Sequence, residues 1–314
     1  MEIAVTGATG FIACQLVRLH LARGDRVRIL TRQLQAAQSL GPVEVVLCDL
    51  AHPEVDALAR FCDGADVIYH CAAQLRDPAR MHGVNVLGTR RLLELAQGRC
   101  ERWVQLSSVG VYGPAREGIV DESCPVAPQG EYETTKAESD SLVQEAADAG
   151  AFSWTILRPS IVIGPEMPNR SLYQLISMVA RGLFFYIGAP GASANYVYVD
   201  NVVDALIACG TLPAAKSKVY NLSDFRTMEQ FVGTIAASLG KPAPRLRLPE
   251  LPVRWLARGL SRMPGFPLTE SRVDAFTSRA RYSNSRIERE LGFQHRLSME
   301  DGLRRMVESW RERR

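Results

Sequence analysis

The strongest constraint in this 314-residue sequence is a rhythm. Six short runs of apolar and β-branched residues alternate with amphipathic stretches: EIAVT (2–6), RVRIL (26–30), VEVVL (43–47), DVIYH (66–70), RWVQLS (102–107) and SWTIL (153–157). Between them, FIACQLVRLHLARG (11–24) and NVLGTRRLLELAQG (85–98) have helical spacing, and Gly24 and Gly98 stand where helix C-caps are expected. Nearly continuous apolar strands separated by helices predict a parallel sheet covered on both faces, a doubly wound α/β architecture. After RPSIVIGP (158–165) the alternation weakens, leaving one strand–helix unit at NYVYVDNVVDALIACG (195–210) and one strand at KVYNLS (218–223). From Thr227 on, helices dominate, with Thr227 and Ser298 as expected N-caps. The predicted organisation is a sheet domain over 1–165, with 196–223 returning to the sheet. A smaller, mainly helical part over 166–195 and 224–314 is expected to pack beside it as a substrate-binding cap with no core of its own.

Charge and cysteine usage narrow the class. A net charge of +3 is too small to argue for nucleic acid, and the closing RERR reads as a favourably charged helix end. No apolar run is long enough to span a bilayer. MEIAVTGATG enters a strand at once, which leaves no room for a cleavable signal. Seven scattered cysteines form no CxxC pair and no metal-ligand spacing, so no metal is expected, and small buried hydrophobes in a reducing cytoplasm account for them. LPVRWLARGLSRMPGF (251–266) is apolar and arginine-bearing. It fits a membrane-surface helix or a cap helix over a substrate cleft, and the lack of any other membrane signal favours the cap.

VTGATGFIACQL places Gly7, Gly10 and Ala13 where the first strand meets the first helix. Small residues there let backbone N–H groups approach a pyrophosphate, whose charge the helix N-terminus stabilises. No Gly-Lys-Ser/Thr follows, which excludes a P-loop, and the register at the start of a βαβ unit predicts a dinucleotide-binding Rossmann domain. The second strand ends in ILTRQ, with no acid to accept from a ribose 2′-hydroxyl. A guanidinium at Arg32 suits a 2′-phosphate instead, so NADP(H) is expected over NAD(H). Arg28, on the same face of that strand, either assists or is simply solvated.

In GEYETTKAESD (130–140), Tyr132 and Lys136 are four residues apart and share a helix face. By itself the segment also fits an ordinary surface helix.

Taken with TGATGFI, CDL (48–50), HCAA (70–73), NVLGT (85–89), LSSVGVYG (106–113), YETTK (132–136), RPSIVIGP, VYVDNVVDA (197–205) and RYSNSRIERELGF (281–293), the chain resembles an extended short-chain dehydrogenase/reductase along nearly its whole length. That group includes nucleotide-sugar epimerases, dehydratases, reductases and 3β-hydroxysteroid-type dehydrogenases. The resemblance implies that Gly7, Thr9, Gly10, Phe11 and Ile12 cradle the pyrophosphate and that Asp49 and Leu50 border the adenine. It sets Ala72 and Ala73 on the ribose side, adds Pro159 and Ile161 to the cofactor site, and makes Asn85 a supporting residue behind the active site. Asp49 also reads as a strand-end turn former, and Asn85 as a helix N-cap. By the same resemblance Ser108 orients a carbonyl; Ser107, as the last strand residue, is expected to face the other way, and Tyr112, in the loop after the strand, to pack first and contact substrate second. Tyr132 carries the reacting proton, and Lys136 tunes it and holds the nicotinamide ribose. A free phenol with a pKa near 10 is a poor base at neutral pH, and nearby positive charge corrects that. Ser108 and Tyr132 would touch the substrate.

Two departures shape the expected activity. Val109 and Gly110 stand where dehydratases carry an acidic pair, which argues against dehydration. Ala194 and Asn195 supply no cation before the YVYVD strand, which weighs against a nucleotide-sugar substrate unless Arg170, Arg181 or Arg226 substitutes. The expected function is an NADP(H)-dependent oxidoreductase interconverting a secondary alcohol and a ketone on a sugar-like or steroid-like molecule. The alternatives are a nucleotide-sugar epimerase with tightly bound NAD(P) and a non-catalytic NADP-binding regulator. A homodimer through helices around 85–98 and 132–149 is expected.

Overall fold

Parallel pairing organises the chain. The computed structural model describes residues 1–148, 150, 152–260 and 269–313. Its main sheet contains β1 (Glu2–Thr6), β2 (Arg26–Thr31), β3 (Glu44–Leu47), β4 (Ala65–His70), β5 (Cys100–Leu106) and the Ser153–Pro159 and Lys218–Leu222 strands. Reading across, the order is Lys218–Leu222, Ser153–Pro159, β5, β4, β1, β2, β3, and every pairing is parallel. The order reverses between β1 and β4, and a crevice opens there at the carboxyl ends of the strands.

Alternation within β1 shows why both faces are covered. Ile3 and Val5 join a buried cluster with Leu16 and Val17 of helix α1 (Ala13–Ala22). Ala4 points to the other face, where Ile68, Leu92, Phe61 and Trp103 pack. Gly24 and Gly98 adopt positive φ, as helix-ending glycines do.

Two expectations about the later chain need correction. Of the segment 196–223, only Lys218–Leu222 joins the main sheet. The Ser193–Tyr198 strand instead pairs with Ile161–Ile163 and with Asp224–Thr227 in a separate three-stranded sheet. The later chain also has a buried cluster of its own. Leu172 and Ile176, Phe231 and Ile235, and Leu303 and Val307 sit four apart on three helices and face one another there. The predicted caps hold: Thr227 forms a capping box with Gln230, and Ser298 accepts from the Asp301 N–H at 3.1 Å.

The helix expected over 251–266 is described as Glu250–Leu260, and 261–266 lie outside the described residues. All seven cysteines are free. Among the described residues no helix is long and apolar enough to cross a membrane, and no three acidic, His or Cys side chains gather as a metal site.

Candidate active site

A cavity of about 990 Å³ runs along the crevice. Its walls include Gly7, Thr9, Gly10, Phe11 and Ile12 at the β1–α1 turn, and Arg32, Asp49 and Leu50 beyond β2 and β3. Ala72 and Ala73 follow β4, Pro159 and Ile161 come from the far side, and Ser108 and Tyr132 complete the lining. The residues expected around a dinucleotide therefore converge, with the exceptions of Lys136 and Asn85. The turn is built for close approach. Gly7 has φ of 66°, and a Cβ there would stand 2.8 Å from the backbone of Ala72. The Gly10 N–H closes the turn on the Gly7 carbonyl at 2.8 Å, and the N-terminus of α1 follows. Cavity size, glycine turn and helix N-terminus together fit a dinucleotide.

At the adenosine end Arg32 lies 3.5 Å from the Asp49 carboxylate, and Arg80 reaches the same oxygen at 3.0 Å. Burial works against the Asp49 charge, but the Ala51 N–H and the two arginines outweigh it and hold the carboxyl below its ordinary pKa. Asp49 is a strand-end turn former, its Oδ1 accepting from Ala51 N at 3.0 Å, and it also lines the cavity. Arg28 does not assist: it donates to Glu44 at 2.8 Å and to the carbonyls of Phe61 and Asp63.

At the other end, both serines that follow β5 line the cavity, but their hydroxyls have different partners. Ser108 is half-buried in the cavity wall and accepts from the Gly110 N–H at 3.1 Å. Ser107 is buried and donates to Asp140 at 2.8 Å. Tyr132 stands in the first turn of the Glu131–Asp148 helix with its ring half-buried. Burial pushes its phenol up to about 12, and Glu133 and Asp140 add to the shift. Lys136, one turn on, is 2% exposed and lies behind the wall, donating to the Leu106 carbonyl at 2.6 Å. Burial lowers its pKa, against the pull of Asp140 and Cys71. Lys136 is not among the groups that shift the Tyr132 phenol, whose rise comes from burial, Glu133 and Asp140.

Asn85 is buried in a π-helical turn, Gly83–Leu87, and is no N-cap. Its Oδ1 accepts from Gln74 N at 2.7 Å, and its Nδ2 donates to the Gln74 carbonyl and to Thr135 Oγ1 at 3.1 and 3.0 Å. Tyr112 is a packing residue: its hydroxyl donates to Asn221 at 2.9 Å and accepts from Arg158 at 3.0 Å.

Sequence reasoning missed the charged group beneath this site. Asp140, one turn after Lys136, binds Arg158 through Nε and Nη2 at 3.1 and 3.0 Å, and both side chains are buried. Burial pushes the Asp140 carboxyl up, while Arg158, Lys136 and Ser107 oppose it. The four-residue step from Lys136 was the available signal. His70 was missed too. It is wholly buried, held between Thr6 and Thr89 hydroxyls at 2.9 Å each, and desolvation lowers its pKa to about 3.

A second cavity of about 740 Å³ shares Met167 and Pro168 with the first and is otherwise lined by Arg76, Arg170, Arg313, Tyr173 and Trp310. Of the substitutes considered for a missing phosphate cation, Arg170 is here. Arg226 is committed to Glu300 and Asp224, both at 2.6 Å.

Comparison with known proteins agrees with this geometry. Residues 3–223 match the NAD dependent epimerase/dehydratase family. A 4-hydroxy-2-methyl-3-oxo-4-farnesyl-3,4-dihydroquinoline-1-oxide ketoreductase of Stigmatella aurantiaca is 29% identical over 322 residues, covering 96% of this chain and 95% of that protein. An N-acetyl-alpha-D-glucosaminyl-diphospho-ditrans,octacis-undecaprenol 4-epimerase of Escherichia coli O157:H7 is 26% identical, covering 98% and 94%. The crystal structure of a UDP-glucuronic acid 4-epimerase from Bacillus cereus, in complex with UDP-glucuronic acid and NAD, superposes with a TM-score of 0.78 at 20% identity over 100% of both chains. With a nicotinamide-dinucleotide crevice on a doubly wound sheet and a family match over most of its length, the chain belongs to the NAD dependent epimerase/dehydratase family, the extended short-chain dehydrogenase/reductases.

Proposed function

We propose that the protein is an NADP(H)-dependent oxidoreductase that interconverts a secondary alcohol and a ketone on a sugar-like or steroid-like molecule. One observation carries this: Tyr132 and Ser108 line the same cavity as the glycine turn, and burial pushes the Tyr132 phenol up to about 12, so at neutral pH it holds a proton to give. When bound, the dinucleotide supplies the hydride donor or acceptor. The protein's part concerns the oxygen. Ser108 Oγ donates a hydrogen bond to the carbonyl oxygen, and Tyr132 donates its proton as negative charge develops there. In the oxidative direction a positive charge brought beside the phenol lowers its pKa and lets it accept the proton back. Lys136, fixed on the Leu106 carbonyl, supports the wall from behind.

Arg32 in the cavity lining supports NADP(H), although Asp49 shares its charge. The Stigmatella relative is named a ketoreductase, which supports net reduction. The epimerase alternative draws on the second cavity, whose three arginines suit a diphosphate. The same proposal takes the enzyme to be cytoplasmic and homodimeric through the helices at 88–96 and 131–148.

The test supplies NADPH or NADH with a panel of ketones and compares Tyr132→Phe. Turnover should fall by about two to four powers of ten with cofactor affinity retained. Tightly retained cofactor with no net consumption would assign epimerisation instead. Unchanged turnover in Tyr132→Phe removes the phenol from the mechanism.

A further inference from the structure

The Glu250–Leu260 helix is apolar on two opposite faces. Its inner face sets Val253 and Ala257, four apart and buried, against Ile187 and Val273. Its outer face carries Leu251 and Trp255, also four apart, at 70% and 75% exposure. Leu256 on the flank is 52% exposed. Leu246 is 60% exposed and adjoins the Arg247–Leu248 strand, which pairs with Tyr186–Ile187 and leads into this helix. Leu183, 61% exposed, closely precedes Tyr186. Single exposed leucines are ordinary, but four large apolar side chains on one strand–helix unit, with Leu183 ahead of the paired strand, mark an interaction surface. None of them lines either cavity described above.

Charge at its edge selects the partner. The nearby carboxylates are already engaged: Glu250 and Asp274 by Arg254 at 2.7 and 2.8 Å, Glu229 by Arg247 at 2.6 Å, and Glu270 by Arg258. Arg181, Lys241 and Arg245 are exposed and have no carboxylate partner among the described residues. Arg245 directly precedes Leu246 and Arg181 is two residues before Leu183, so the unpaired charge beside these leucines is positive. A second copy of the chain would bring these cations against one another, whereas anionic headgroups would complement them. Trp, Leu and Arg, which this helix carries, are also residues of a helix lying in a membrane interface.

We propose that the outer face of the Glu250–Leu260 helix, with Leu183 and Leu246, docks the protein on an anionic lipid surface. The proposal stands apart from the redox reading, because binding is measured without turnover. The experiment is flotation of the full chain with vesicles of equal parts phosphatidylcholine and phosphatidylglycerol, and with phosphatidylcholine alone. Binding to the anionic vesicles is expected, weakened by salt and by the neutral lipid. Leu251→Ser/Trp255→Ser, at positions that contribute little to the core, should lower the partition coefficient by about tenfold or more. Turnover of the same variant on a water-soluble ketone should be unchanged, which separates docking from catalysis. Absence of wild-type binding overturns the proposal, as does equal binding by the variant. So does self-association that depends on Trp255, read by light scattering, without vesicle binding.

Discussion

Replacing Asp140 by Ala should destabilise the protein by several degrees. The carboxylate is 2% exposed, one oxygen accepts from Ser107 and from Arg158, and Arg158 is itself 5% exposed. Removing one partner of such a pair leaves an uncompensated buried charge, which costs about 3–5 kcal/mol. Unfolding entropy of about 2.1 cal/mol/K per residue gives roughly 0.66 kcal/mol/K for a chain of this length. The melting temperature should therefore drop by about 5–8 °C, measured by calorimetry or circular dichroism. Asp140→Asn keeps the shape and should retain most of the loss, because the charge is what Arg158 lacks. In a double-mutant cycle, Asp140→Ala with Arg158→Met should be less destabilised than the sum of the single variants by about 1 kcal/mol or more. A drop below about 2 °C, or strict additivity, would refute a buried ion pair beneath the Glu131–Asp148 helix.

Arg32→Ala should weaken NADP(H) binding by about 10–100-fold while leaving NAD(H) nearly unchanged, since one charge-assisted contact is worth about 1.5–3 kcal/mol. Fluorescence titration gives both constants, and an unchanged ratio would take the 2′-phosphate away from Arg32. His70 sets an acid limit on stability. Its folded pKa of about 3 lies below the ordinary 6.5, so between those values the unfolded chain binds the extra proton. Stability is then complete above about pH 6.5 and declines toward pH 3, losing about 2–3 kcal/mol by pH 4.5 from this residue. Urea titrations at pH 7 and 4.5 should show a shallower acid loss in His70→Gln, and identical losses would refute it.

The sheet was legible because each buried strand is a compact apolar run, and because the glycine turn follows the first of them. The cofactor lining was legible for a related reason: its residues sit at strand ends, so finding the strands finds the site. The Asp140–Arg158 pair was not. Its members lie on different elements, and only the docking of the Glu131–Asp148 helix against the Ser153–Pro159 strand brings them together. Helical spacing gave Tyr132 and Lys136 a common face but said nothing of depth, and depth sends the ammonium to Leu106 instead of into the cavity. Likewise the fate of Arg226 turned on Glu300, far away in sequence.

Asn85 has the last consequence. Through one amide it grips both carbonyl and N–H of Gln74, on the cavity floor, and the Thr135 hydroxyl, on the helix that presents Tyr132. The separation between Gln74 and the first turn of the Glu131–Asp148 helix is thus gauged by a single side chain, and the two must shift together. A change of shape in the outer helices then leaves Tyr132 held at its place along the cavity.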